Sequence, residues 1–300
     1  MKVIAIVVTY NRSALLSRVL DSLLAQKYKL HKILIIDNDS KDNTCSVIDS
    51  YMKNCEGIIY YNTGDNLGGA GGFHEGFKLS EKFDYDYLWL MDDDFLPTPD
   101  CLYELIKDNY NGISQPLRYN VDESCAEISP VEYDLKKIFC KNPKLNTVAD
   151  LLESGKMTGL NYINIAGVPF EGPLISRDVV SEVGYPNPDF FIFNDDLDYS
   201  LRTRRKGFAI RCVFSAKAYR LIKNDQGSDL DSWKGYFMLR NHFYILRNYG
   251  ENFFVVNRSI LICLYYIFKS IVKMDLKFIK VVTSSFFDSF TLRNSKLHRP

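Results

Sequence analysis

The chain has no C-x-x-C pair, no Gly-Lys-Ser/Thr triplet, only four histidines and no internal repeat or low-complexity tract. Its seven cysteines (Cys45, Cys55, Cys101, Cys125, Cys140, Cys212, Cys263) are odd in number and scattered, which excludes a zinc ribbon and leaves reduced thiols in a cytosol as the expectation. The missing triplet excludes a Walker A loop. A membrane-spanning helix needs about 20 apolar residues. The longest uncharged stretch of the C-terminal tail, Ser259–Phe268, has ten, so the tail is expected to be too short to cross. No secretory signal precedes the first strand, because Val3–Val8 already reads as buried β structure, and the catalytic part is expected on the cytoplasmic side.

Charge of one sign is scarce only locally. The formal net charge is zero, yet residues 1–201 carry 18 Lys+Arg against 31 Asp+Glu, and residues 202–300 carry 19 against 6. A basic, aromatic tail points to an anionic surface such as membrane headgroups or phosphates, with no nucleic acid expected. With 46% hydrophobic and 25% charged residues the chain is expected to fold as one main core with an appendage.

Local patterning then sets the fold class. Val3–Thr9, Ile33–Ile36, Ile58–Tyr61 and Tyr87–Met91 are β-branched or aromatic runs. They alternate with helical spacing at Leu15–Leu24, a capped segment Ser40–Tyr51, and Gly71–Lys82. This β-α-β-α-β-α-β order predicts a parallel sheet with crossover helices, whose ligands bind beyond the carboxyl ends of the strands. Thr9–Arg12, Asp37–Ser40, Asn62–Asn66 and Asp92–Asp94 would converge there. Residues 119–157 are polar and weakly patterned, reading as an insertion or acceptor-side loops. Helices are expected at Arg177–Val183 and Asp231–Asn248, with patterned segments at Tyr162–Val168 and Phe190–Lys206.

Three motifs carry chemistry. Asp92, Asp93 and Asp94 follow directly on the strand YLWLM. Two such charges about 4 Å apart repel by roughly 4 kcal/mol at an effective dielectric near 20, which a hard cation such as Mg2+ or Mn2+ bridging to a diphosphate would relieve. A solvated acidic turn is the plainer reading, and the position at a strand's carboxyl end favours the metal. The loop NTGDNLGGAGGFHEG puts Gly68, Gly69, Gly71 and Gly72 at the mouth of a helix, where backbone can approach an anion. It fails as a dinucleotide fingerprint because His74 stands where a glycine is required. In Asn194-Asp195-Asp196-Leu197-Asp198, Asp195 and Asp198 share a helix face while Asp196 points elsewhere. Crowded carboxylates of this kind suit a general base, although an acidic helix N-terminus stabilised by the dipole also fits.

Taken together, VVTYNR, DNDSKDNT, NLGGAGGF, MDDD and FIFNDDLDYSLR, in this order over roughly residues 1–250, resemble the inverting family 2 glycosyltransferases of GT-A fold. NLGGAGGF, NDDLDYSLR and WKGYFMLRNHFYILRN are most similar to bacterial galactofuranosyltransferases, with rhamnosyltransferases close behind. The resemblance implies an α/β GT-A domain over 1–250 with a basic, aromatic helical extension over 251–300. It implies a nucleotide-sugar donor held by Thr9, Asn11, Arg12, Asp37, Asn66, Gly69 and Asp93, a Mn2+ or Mg2+ ion on Asp92 and Asp94, and Asp196 as base with Asp195 beside it. The donor would be a UDP-sugar, probed against dTDP-rhamnose, and the acceptor a glycan or lipid-linked glycan. Many relatives place a metal-binding His about two dozen residues beyond the base. Here AKAYRLIKND has none, so Arg220 or Lys223 would instead neutralise the leaving diphosphate, with His242 a remote substitute. The tail reads as an amphipathic helix pair on the inner face of the plasma membrane, or as a cap or homo-oligomer contact. A catalytically silent sugar-nucleotide-binding or scaffold protein is the reading from another class, which the intact acidic clusters disfavour.

Overall fold

All seven residues of strand β1 (Val3–Thr9) are buried, because both of its faces are covered. Val3, Ala5 and Val7 pack with Leu16, Val19 and Leu20 on one side, and Ile4, Ile6 and Val8 pack with Phe73 and Phe77 on the other. Such two-sided burial is what a parallel strand between crossover helices requires. The computed structural model describes residues 1–140, 142–157, 159–222, 229–294 and 296–299.

After β1 come α1 (Ser13–Leu24), β2 (Lys32–Asp37), α2 (Thr44–Met52), β3 (Ile58–Asn62), α3 (Gly68–Ser80), β4 (Tyr87–Asp92) and β5 (Phe95–Pro97). Then follow α4 (Cys101–Ile106), β6 (Ile113–Asn120), a hairpin of β7 (Pro130–Tyr133) and β8 (Lys144–Thr147), α5 (Val148–Glu153), β9 (Tyr162–Asn164) and β10 (Leu174–Ser176). The chain ends with α6 (Arg177–Val183), α7 (Asp195–Arg205), β11 (Ile210–Arg220), α8 (Lys234–Tyr249), α9 (Phe253–Val272) and α10 (Leu276–Asp288). The main sheet runs β3-β2-β1-β4-β10-β6-β11-β5, with β9 on β11. Its first four strands are parallel, and β10 enters antiparallel between β4 and β6. Thr9 pairs in register with Asp37, Asp37 with Asn62, and Val8 with Asp92, so the polar strand ends lie along one edge.

Several element boundaries differ from the sequence expectation. Helix α2 starts at Thr44, four residues late, because Ser40–Asn43 tie the β1 and β2 loops together. Ser40 donates its N–H to Asp37 (2.9 Å), Asn11 N–H donates to Ser40 Oγ (2.8 Å), and Ser13 N–H donates to Asp42 (3.0 Å). Helix α3 starts at Gly68, so most of the glycine run is helical. A Cβ on Gly72 would stand 2.5 Å from Val8, which makes that glycine a condition of α3 lying against β1. The 119–157 stretch is the β7–β8 hairpin plus α5, only Tyr162–Asn164 of the next segment is strand, and α8 begins at Lys234 after a short 3-10 turn.

Helices α8, α9 and α10 pack on one another through Leu239, Phe243, Cys263 and Val282. The uncharged run understated the tail. Helix α9 continues through Arg258 and Lys269 to twenty residues, long and apolar enough to cross a bilayer by length and composition alone. Its Val255, Ser259, Cys263 and Ser270 are buried against the protein. Its other side is open, Phe253 being 75% and Phe268 68% exposed.

Candidate active site

The order β2-β1-β4 reverses chain direction of growth at β1, and a crevice opens at such a switch point. Thr9 ends β1 there, and its hydroxyl donates to Asp93 (2.8 Å). The Arg12 guanidinium donates to the same carboxylate (3.0 Å) and lies 3.7 Å from Asp94. Thr9, Arg12 and Asp93 are therefore bonded to one another, and Asp93 is only 2% exposed. Burial pushes the Asp93 carboxyl up, against the pull of Arg12 and the Thr9 hydroxyl.

Asp37 ends β2, accepting from Ser40 N–H and from the Tyr60 hydroxyl (2.8 Å). Asn11 sits at φ 53° and accepts from Lys41 N–H (2.7 Å). Asn66 accepts from Gly68 N–H (2.9 Å), holding the loop that opens α3, and a Cβ on Gly69 would meet only open space. Thr9 and Asp37 thus end neighbouring strands along one edge of the sheet, Asn11, Arg12 and Asn66 lie in the loops that follow β1 and β3, and Gly69 lies at the start of α3.

Asp92 and Asp94 are both within electrostatic reach of Glu171 as well as of Asp93 and Arg12. Burial, then Asp94, Glu171 and Asp93 hold the Asp92 carboxyl well above the usual carboxylate range. Burial, then Glu171 and Asp93 push Asp94 up to about 6. Among the described residues no group of three or more His, Cys, Asp or Glu side chains stands arranged to hold a metal ion by itself. The donor chemistry nevertheless fits a hard cation. Two crowded carboxylates supply oxygen ligands whose repulsion a divalent ion would relieve, and such ions are commonly completed by substrate phosphates rather than by a protein cage.

Asp196, the second residue of α7, lines a cavity of about 910 Å3. Its carboxyl is raised, first by burial, and Glu171 adds to the rise while Lys144 and Arg118 oppose it. Glu171 is consequently the common neighbour of both acidic groups, Asp92 and Asp94 on one side and Asp196 on the other. It is held by Arg118 and by Arg220 (2.9 Å). Asp195 is buried beside Asp196, is pushed up to about 8 by burial and then by Asp196, and is not among the cavity's lining residues. Asp198 is engaged elsewhere, by Arg202 (2.9 Å) and the Tyr249 hydroxyl.

The loop that delivers Asp196 is strained. Phe191, Phe193 and Asn194 have φ of 64°, 65° and 63°, an arrangement costing of order 1–3 kcal/mol per residue. Arg240 and Asn241 of α8, both fully buried, hold it in place. Asn241 Nδ2 donates to the carbonyls of Phe190, Ile192 and Phe193, and Arg240 donates to those of Asp189 and Phe190. This gives the Arg-Asn pair of WKGYFMLRNHFYILRN its physical task. From the other side Ala70 N–H donates to the Phe191 carbonyl (3.1 Å), and a Cβ on Gly68, at φ 70°, would fall 2.2 Å from that oxygen. The glycine loop and the loop before α7 are therefore joined by a backbone contact.

Sequence reasoning missed Glu171, Arg118, Glu127, Lys144 and Arg258. Glu171-Gly172-Pro173 after an apolar run was the one local signal. His242 lines the cavity, and burial and then Arg258 lower it to about 4, so it is neutral near pH 7. Arg220 lies beside Glu171 and Asp94, whereas Lys223 lies outside the described residues.

Comparison with known proteins agrees with this geometry. Residues 4–157 match the family described as Glycosyl transferase family 2. Galactofuranosyltransferase GlfT1 of Mycolicibacterium smegmatis is 26% identical over 265 residues, covering 83% of this chain and 84% of that protein. Poly-beta-1,6-N-acetyl-D-glucosamine synthase of Staphylococcus aureus is 24% identical over 224 residues, covering 73% of this chain and 49% of the synthase, so the chain spans about half of that relative. In fold the chain is similar to GalNAc-T7, crystallised with UDP, GalNAc and Mn2+, with a TM-score of 0.59 at 13% identity over 98% of this chain and 57% of that one. With the matched segment carrying β1 to α5 and the sheet edge that holds Asp92–Asp94, the chain belongs to glycosyl transferase family 2 and is a glycosyltransferase.

Proposed function

We propose that the chain transfers galactofuranose from UDP-galactofuranose, with inversion, to a hydroxyl of a lipid-linked cell-surface polysaccharide. The observation that carries this reading is that Glu171, which lines the cavity together with Asp196, is within electrostatic reach of Asp92 and Asp94 as well. It supports a diphosphate-binding acidic pair acting together with a raised carboxylate. The choice of sugar rests on the similarity to the galactofuranosyltransferase, and the cell-surface polysaccharide on both relatives. Thr9, Asn11, Arg12, Asp37, Asn66 and Gly69 border the donor, and Asp92 and Asp94 hold Mn2+ or Mg2+. When bound, that ion neutralises charge on the departing nucleoside diphosphate. Asp196 takes the acceptor hydroxyl's proton, and burial makes it a stronger base than a surface aspartate. Arg220, paired to Glu171, adds positive charge beside Asp94.

A panel of nucleotide sugars read by thermal shift tests the donor. UDP-galactofuranose at 100 times its dissociation constant is expected to stabilise the chain by roughly 2.7 kcal/mol with Mn2+ present, and by clearly less in excess chelator. A response to dTDP-rhamnose alone would replace the assignment, and full stabilisation in chelator would remove the metal from it.

The chain works at the inner face of the plasma membrane, on the open side of α9 and α10. Phe253, Phe254, Leu264 and Phe268 are exposed there, and Lys269, Lys273, Lys277 and Lys280 flank them. Each basic residue near anionic lipid adds about 1 kcal/mol. The full chain is expected to float with phosphatidylglycerol vesicles, and F253S/F254S/F268S to stay behind. Equal flotation of the two, or a wild-type dimer that dissociates in the variant, assigns the face to something other than lipid.

A further inference from the structure

The cavity beside Asp196 holds more positive charge than its own carboxylates balance. Arg118, Lys144, Arg220 and Arg258 line it, against Glu171 and Asp196. Arg118 and Arg220 are already paired, the first with Glu127 and Glu171, the second with Glu171. Among the described residues no carboxylate forms an ion pair with Lys144 or Arg258. Arg258 donates to a neutral group, the Cys140 carbonyl. The two cations come from different elements, β8 and α9, on the hairpin and tail side of the cavity. Tyr133 lies within electrostatic reach of both Asp196 and Arg258, and Lys144 within reach of Asp196.

Helix α9 adds an order to these groups. Its cavity-lining residues are Arg258, Ile262, Tyr265 and Tyr266. They stand at i, i+4, i+7 and i+8, a single stripe about 12 Å long at 1.5 Å per residue. One end of the stripe is a guanidinium and the rest is apolar or aromatic. Leu230, Met238 and Leu239 continue the apolar wall. Tyr265 is also 59% exposed, so the stripe reaches the open face of α9. The cavity thus brings together the Asp196 carboxylate, the cations Lys144 and Arg258, and an apolar track that reaches the open face of α9.

Resting on the glycosyltransferase reading above, we propose that Lys144 and Arg258 form a subsite for a phosphate group of the acceptor, whose apolar tail leaves the cavity along Ile262, Tyr265 and Tyr266. The acceptor is thus a phosphate-linked lipid rather than a free glycan. A guanidinium and an ammonium match phosphate oxygens as fork and point charge. A polar glycan bearing a carboxylate would satisfy the cations but lay its hydroxyls against the apolar stripe without partners.

Farnesyl phosphate, farnesol, inorganic phosphate, glucuronate and UDP, each titrated calorimetrically into the full chain below aggregation, test this. Farnesyl phosphate is expected to bind at least tenfold tighter than farnesol, and inorganic phosphate to compete with it. In K144Q/R258Q, where glutamine keeps a donor for the Cys140 carbonyl, the difference is expected to fall within twofold while UDP binding stays unchanged. Equal affinity of wild type for the phosphate and the alcohol would overturn the proposal. So would glucuronate binding that the variant abolishes without any preference for farnesyl phosphate. A tenfold loss of UDP affinity in the variant would assign the two cations to the donor instead. Absence of UDP binding to the wild type sinks the UDP-sugar donor reading, whereas UDP binding without farnesyl phosphate binding sinks the subsite alone.

Discussion

Asp196→Asn is expected to keep donor binding within about twofold and to lower transfer by 10²–10⁴-fold, the range a positioned general base contributes. The substitution is isosteric, and Asn can still accept from Leu197 N–H, the 2.7 Å bond that Asp196 makes at the start of α7. The strained loop held by Arg240 and Asn241 is untouched, so the helix start should not move. What disappears is the capacity to take a proton from the attacking hydroxyl. Asp92→Ala gives the contrast, because it removes an oxygen ligand near the diphosphate and should weaken donor affinity and turnover together. Nucleoside diphosphate release with the donor that the thermal-shift panel selects, together with a UDP titration, separates the two. Turnover by Asp196→Asn within tenfold of wild type would remove this residue from the proton-transfer role.

Glu127→Ala should cost up to about 3–5 kcal/mol of stability, because it removes the fully buried partner of a buried guanidinium and leaves it only Glu171. Arg118 and Glu127 are 2% and 0% exposed, and they share bonds of 2.8 and 3.2 Å. Burial alone would push the Glu127 carboxyl up, and the attraction of Arg118 with its hydrogen bonds instead holds it below the ordinary value. Ser129 N–H and Gln115 also donate to this carboxylate, so alanine removes an acceptor from three sets of donors, of which Gln115 keeps the Glu171 carbonyl and Arg118 the Glu171 carboxylate. The loss is read by urea denaturation. Glu127→Gln, which retains acceptor oxygen without charge, should lie between wild type and alanine. A cost below about 1 kcal/mol for Glu127→Ala would mean that water or Glu171 takes over the guanidinium. Since Arg118 also holds Glu171, the same variant should impair transfer even where it remains folded.

The four parallel strands and the helix α6 were legible because a strand or helix declares itself through its own spacing of apolar residues. The acidic ends of β2 and β4 were legible for the same reason, each falling one residue past an apolar run. Boundaries failed where side chains bond across loops. Ser40 and Asp42 look like a helix cap in isolation, yet their partners are Asn11 and Ser13 on another loop. The glycines before Phe73 look like a phosphate loop in isolation, yet Gly72 is small because Val8 is close.

By itself the sequence determined the β-α order, the aspartates that end β4 and open α7, and the family to which they belong, since each is written in contiguous residues. Tertiary structure alone decided that Glu171 comes within electrostatic reach of both acidic groups, that Arg118 is buried on Glu127, and that one stripe of α9 lines the cavity beside Lys144. Those contacts join segments far apart in the chain, and single-chain periodicity holds no record of which distant surfaces meet when apolar faces are buried against each other.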